Sequence, residues 1–317
     1  MRSRDARRAC RALVVWVVWV AAFTGCSEGP APEAPRAEQE GALLVYVVSW
    51  PLETFARRIG GEHVDVVFPA PEGVDPAYWS PPPEIVADFQ SADLIVENGA
   101  GFAAWTAHAT LPGDRRLDTS AGLGEHLLAA SDGVTHGHGP EGEHTHAVTD
   151  FNTWLDPRLA RRQARAIGEA LAARRPDAAA DFDTRLEALA TELDALDRRL
   201  AAALAPLAGR PVLFSHPVYA YMARRYQLSG RSLHWEPGEM PDDAEWRRLE
   251  GLLAEEPARW MFFEGEPHPD AEARLAALGV RVIVFAPGGA RSAQEADWLD
   301  LMAANAERIE AAAPVDP

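Results

Sequence analysis

From residue 42 onward, short apolar runs alternate with amphipathic stretches. ALLVYVV (42–48), VDVVF (64–68), DLIVEN (93–98) and RRLDT (115–119) have the length and β-branched content of strands. Between them, SWPLETFARRIGG (49–61), PPEIVADFQSA (82–92) and GFAAWTAHA (101–109) place apolar residues at helical spacing, the first with Pro51 near its opening turn and glycines at its end. The second half repeats the pattern, with strands expected over 211–215, 231–235, 260–264 and 280–285. Helices are expected there over 218–226, 242–256, 269–279 and from about 293 to 312. Apolar strands alternating with helices predict parallel sheets covered on both faces.

Two helices separate the halves. The first spans 157–174, opened by Asp156 as N-cap and Pro157 at the first position. The second begins at Pro176 and runs to about Leu207. Its apolar positions (Phe182, Leu186, Leu189, Leu193, Leu196, Leu200, Leu204 and Leu207) form one stripe on a helix ~45 Å long at ~1.5 Å per residue. The run is barely four heptads and its other face is alanine-rich and acidic, which favours a strut along two lobes over a coiled-coil dimer. The predicted fold is α/β: two (βα) lobes with parallel sheets, joined by one long backbone helix, with a ligand cleft between the lobes at the carboxyl ends of the strands. The expected divisions are an N-terminal lobe over 42–158, a helical linker over 159–207 and a C-terminal lobe over 208–317.

The first 25 residues stand outside this pattern. A basic segment, MRSRDARRACR, precedes the apolar ALVVWVVWVAAF, which is shorter than the ~20 residues a membrane-crossing helix needs. It reads as a secretory signal. Thr24-Gly25-Cys26 resembles a bacterial lipobox, with Phe23 where leucine is usual, so Cys26 is the expected lipid attachment point. The Pro-, Glu- and Ala-rich residues 26–41 read as a tether. Cys10 would leave with the signal, so no disulfide forms in the mature fold. The thirty basic residues are all arginine, against 48 acidic ones, for a net charge of −18. That acidity argues against a nucleic-acid surface and suits a cationic ligand or a solvated acidic face.

Chemistry-bearing residues cluster in HGHGPEGEHTH (136–146), within a histidine-rich loop over 135–147. His136, His138, His144 and His146 form two H-x-H pairs, and imidazole suits zinc, copper and nickel alike. A solvated insertion is the plainer reading of such a tract. The chain has no Walker A, G-x-S-x-G or H-E-x-x-H pattern, so no enzyme is expected.

The segments GVDPAYWSPPPEIVADFQSADLIVENG (73–99), FNTWLDP (151–157), LFSHPVYAYMARRY (213–226) and WMFFEGE (260–266), with the lipobox and the architecture, resemble the zinc/manganese-type solute-binding proteins of ABC importers. The resemblance covers about residues 42–312. It implies a lipid-anchored periplasmic or extracytoplasmic receptor, expected to be a monomer, that hands a divalent cation, zinc above all, to a permease and ATPase complex. In that family the first ligand histidine follows Asp-Pro, where Ala77 follows Asp75-Pro76 here. The second lies two residues before the WLDP tryptophan, a position held by Asn152. The third is His216. The fourth is an aspartate before a proline, where Ala286 precedes Pro287.

By donor count this family-type site is degenerate, because zinc takes about four thiolate, imidazole or carboxylate donors and alanine offers none. His234, Glu236, Glu264, Glu266 and His268, near the ends of C-terminal-lobe strands, are candidate substitute ligands around His216. The 136–146 histidines would be an accessory collector. The alternative expectation is a receptor-like lipoprotein whose cleft has lost its metal. It would bind a non-metal ligand in an aromatic cavity lined by Trp50, Trp79, Trp154 and Trp235, or serve as a metal-buffering or interaction module.

Overall fold

The computed structural model of the protein describes residues 41–130, 134–137, 143–146 and 149–312. The expected signal, Cys26, nearly all of the tether and His138 lie outside the described residues.

In the first half, β1 (Leu43–Val47), β2 (Val64–Val67), β3 (Leu94–Glu97) and β4 (Arg116–Asp118) form one sheet in the order β2-β1-β3-β4, all pairs parallel. Helices α1 (Trp50–Gly60) and α2 (Pro83–Ser91) connect successive strands. The expected helix over 101–109 is only a 3-10 turn, Ala104–Ala107. Ala100, Gly101 and Ala103 all take positive φ (54°, 87° and 52°), and successive left-handed residues cannot propagate a right-handed helix.

The second half repeats the plan. β7 (Pro211–Phe214), β8 (Ser229–Ser232), β9 (Trp260–Phe263) and β10 (Arg281–Val284) pair in parallel in the order β10-β9-β7-β8. They alternate with α5 (Ala220–Tyr226), α6 (Asp243–Glu255), α7 (Pro269–Ala277) and α8 (Trp298–Ala312). The edge strand β8 lies two residues earlier than its hydrophobicity suggests. Pairing is set by register, Pro211 against Ser229 through Phe214 against Ser232, and Gly230 is required because a Cβ there would lie 1.9 Å from the Phe214 ring. Leu233 and Trp235 follow the strand and bury their side chains in a smaller apolar cluster with Trp246 and Phe263. Helix α8 starts at Trp298 rather than near 293, because Asp297 accepts from the amides of Leu299 (2.9 Å) and Asp300 (3.1 Å) and so caps it.

Helix α3 (Pro157–Arg174), capped by Asp156 as expected, lies against α4 (Ala179–Leu204), which 3-10 turns extend at both ends. Helix α4 buries Phe182, Leu189, Leu193, Leu196, Leu200 and Leu204 and packs against α1, α3 and α8. The larger apolar core is continuous between the halves, running from Phe55 and Trp154 to Tyr219, Phe285 and Trp298. Within the histidine-rich segment the described residues form two paired strands: β5 (Val134–Gly137) runs antiparallel to β6 (Glu143–His146), with His136 opposite His144 and Val134 opposite His146 in the register.

Candidate metal site

The carboxyl ends of both sheets open onto one cavity of about 730 Å³. In the C-terminal half, His216 follows β7, Glu236 follows β8, Glu264 directly follows β9 and Ala286 follows β10. The N-terminal half contributes Asp75 and Tyr78 from the loop after β2, Phe102 after β3, and Asn152 and Trp154 around the 3-10 turn Thr153–Leu155. Parallel strands end at one edge with the loops that follow them, which is why residues distant in sequence meet there.

His216 is the centre of the polar wall. Its Nδ1 lies 3.7 Å from Glu236 Oε1 and 3.8 Å from Glu264 Oε1. Its ring meets that of His234 edge-on, with centroids 5.4 Å apart. Glu264 is mostly covered, with 24% of its side chain exposed against 58% for Glu236. Burial first, then the nearby charges of Glu236 and Asp75, push the Glu264 carboxyl from 4.5 up to about 7. Asp75 accepts the Ala77 amide through Oδ1 at 2.9 Å. Among the described residues, no group of three or more His, Cys, Asp or Glu side chains is drawn tightly enough together to hold a metal ion as it stands. The imidazole and its two carboxylates are neighbours, not a closed cage.

The four positions implied by the family resemblance fall around this cavity. Asn152, His216 and Ala286 line it, while Ala77 is buried and does not, its neighbours Asp75 and Tyr78 lining the cavity instead. The Asn152 backbone and side-chain N–H groups donate to Asp150 Oδ1, at 2.8 and 3.2 Å. Asp150 is itself buried, and desolvation pushes its carboxyl up to about 6 despite those two bonds. The Ala286 backbone is held from both sides by Asn305, whose Oδ1 accepts its N–H at 3.1 Å and whose Nδ2 donates to its carbonyl at 2.8 Å.

Two expectations need correction. His268 is not a cavity residue; its Nδ1 accepts the Asp270 amide at 3.2 Å and caps α7. Glu266, an exposed loop residue, contributes its carbonyl to Gly238 at 2.9 Å. The four tryptophans do not line one aromatic cavity. Only Trp154 reaches it, while Trp50 is buried in α1, Trp79 packs against the larger core and Trp235 meets Trp246 edge-on at 4.7 Å. The aromatic wall is built instead from Phe102, with Phe151 at 5.3 Å and Trp154 at 5.5 Å, and from the exposed Tyr78, 6.3 Å from Phe151. Sequence reading passed over Asp75, Tyr78, Phe102 and Arg291. Asp75 is the acidic residue of the Asp75-Pro76 motif and Tyr78 lies two residues beyond it, so both could have been found there. Arg291 carries no such signal.

The cavity's far wall, residues 286–292, is bonded to the first half. Trp154 Nε1 donates to the Pro287 carbonyl (2.8 Å), the Trp50 amide to that of Gly289 (3.0 Å), and Arg291 grips Glu53 through Nε (2.8 Å) and Nη2 (2.5 Å). The start of α8 is anchored in the same way, by the Trp298 amide donating to Thr54 Oγ1 (3.1 Å).

Two parallel (βα) lobes spanned by a long helix, with one cavity at the shared strand edge, are the architecture of a two-lobed solute-binding receptor. The chain belongs to the ZnuA family, zinc-uptake complex component A periplasmic, whose model matches residues 45–312. It is 25% identical over 291 residues to the high-affinity zinc uptake system protein ZnuA of Bacillus subtilis, covering 86% of this chain and 88% of that one. The fold is that of the metal-dependent lipoprotein YcdH of B. subtilis, with a TM-score of 0.73, 21% identity, and coverage of 86% of this chain and 99% of that one. It is likewise that of the Zn(II)-bound ZnuA-like domain of Streptococcus pneumoniae AdcA, with a TM-score of 0.71, 19% identity, and coverage of 86% and 99%.

Proposed function

We propose that this protein is the extracytoplasmic substrate-binding lipoprotein of an ABC importer for a divalent cation, zinc, anchored through Cys26 and handing its cargo, as a monomer, to a permease and ATPase complex. The observation that carries this reading is the approach of Glu236 and Glu264 to His216 within 3.8 Å at the mouths of three adjacent strands. An imidazole nitrogen and two carboxylates are donors zinc accepts, and two anions offset its charge. Family membership and the Zn(II)-bound AdcA relative support zinc as the cargo.

In this reading His216, Glu236 and Glu264 close on the ion, with the Asn152 amide beside them and His234 behind the His216 ring. The cation displaces the proton that Glu264 holds near neutrality. No bond in the cargo is made or broken, so the protein is a transport component and not an enzyme. The histidines at 136, 138, 144 and 146 act as an accessory collector. Calorimetric titration of the metal-stripped protein with Zn²⁺ tests this, beside a form lacking residues 135–147 and His216→Ala. A stoichiometric site survives the deletion and is lost in His216→Ala. If the deletion removes all zinc uptake, the cavity is not the receptor site.

A further inference from the structure

The cavity is larger than a bare ion requires. A water's share of liquid volume is about 30 Å³, so a cation with six waters fills roughly 200 Å³. The about 730 Å³ here lies within the ~300–1,000 Å³ range of small-molecule pockets. Much of the wall is apolar, from Phe102, Phe151, Trp154, Val218 and Leu301, and such a surface gives a hydrated ion nothing. Lobe closure is poorly placed to remove this space, because the wall at 286–292 is already fastened to the first half through Pro287, Gly289 and Arg291.

The donors are as few as the space is generous. The polar wall brings one imidazole near two carboxylates, while the family's other ligand positions hold Ala77, Asn152 and Ala286. Arg291 lines the same cavity. Glu53 offsets its charge and takes two of its five N–H donors, leaving three able to recognise a further carboxylate.

Resting on the zinc-receptor reading above, we infer that the cavity takes zinc as a complex with a small amino-acid-type chelator. The chelator supplies the donors the wall lacks and presents a carboxylate to Arg291. Its carbon frame packs against Phe102 and Phe151, and His216 with Glu264 reaches the metal's remaining positions.

The test uses the metal-stripped protein and three probes: ZnSO₄ alone, zinc with two equivalents of L-histidine, and L-histidine alone. Calorimetry is expected to show zinc bound at least tenfold tighter in the presence of L-histidine. Native mass spectrometry should find protein, zinc and histidine in one complex, and Arg291→Gln should lower the affinity for the zinc–histidine mixture at least tenfold. If Arg291→Gln fails to fold, the mass of the wild-type complex decides. Should L-histidine only weaken zinc binding, in proportion to its competition for the free ion, the chelate inference is overturned while the zinc-receptor reading stands. Absence of zinc binding from both solutions overturns both.

Discussion

The Nδ1 atom of His216 lies 3.8 Å from Oε1 of Glu264, joining an imidazole at the end of β7 to a covered carboxyl at the end of β9. Because the Glu264 carboxyl is pushed up to about 7, proton and cation compete for it near neutrality. Zinc affinity should therefore fall as pH drops below 7, approaching about tenfold per pH unit for one displaced proton. Glu264→Gln should bind zinc at least tenfold more weakly at pH 8 and lose much of this pH dependence. Titrations at pH 6, 7 and 8 check both outcomes.

The same group has a stability consequence in the metal-free protein. Its folded-state value lies above its ordinary 4.5, so between about pH 4.5 and 7 the folded chain holds a proton that the unfolded chain releases. Stability from this group is present at low pH and lost as pH rises through 7. Asp150 behaves alike in a lower window, from 3.8 to about 6. Asp150→Asn keeps an oxygen for the Asn152 amide and removes the buried charge. It should stabilise the protein at pH 8 by up to about 3 kcal/mol, with the gain vanishing below pH 4. Urea unfolding at the two pH values measures the difference.

The lobes, most strands and the long helix were legible because their signals are periodic: buried parallel strands read as apolar runs, and the Phe182–Leu207 stripe keeps one helix face. β8 was displaced because its Ser229–Ser232 sequence carries no apolar pattern; its place comes from pairing with β7 and from contact between Gly230 and Phe214. His216 was singled out by the family resemblance and Glu236 and Glu264 by their places at strand ends, and all three line one cavity. His268 fell to the same rule, since a strand-end histidine can equally cap the next helix. Arg291 could not be seen, because its role depends on Glu53, 238 residues away.

Glu53 is the buried end of the wall's fastening. Its side chain is 6% exposed and accepts from Arg57 (3.0 Å) as well as Arg291. Glu53→Gln removes the anion and leaves two guanidiniums facing a neutral amide. Arg291 is partly exposed, so solvent screening keeps the cost below the ~3–5 kcal/mol of a wholly buried pair, at about 2 kcal/mol. A shift in urea midpoint without change in slope would register this. An unshifted midpoint would show that the wall does not depend on the pair.

Restoring family donors should convert the cavity toward a bare-ion site. Asn152 already lies over Asp150, so Asn152→His can donate one ring N–H to that carboxylate and turn its other nitrogen into the cavity, the arrangement that orients ligating histidines. Ala286→Asp adds an anion on the opposite wall, from a backbone that Asn305 holds at both its N–H and its carbonyl. With His216 and Glu264 unchanged, the double variant offers two imidazoles and two carboxylates, a complete tetrahedral set for zinc. Its affinity for free Zn²⁺ should rise at least tenfold over the parent, and the advantage of adding L-histidine should shrink, since the chelator's donors are no longer needed. Parallel titrations of parent and variant with ZnSO₄ and with zinc plus L-histidine measure both changes. An unchanged free-ion affinity would mean that positions 152 and 286 do not converge on the ion that His216 meets.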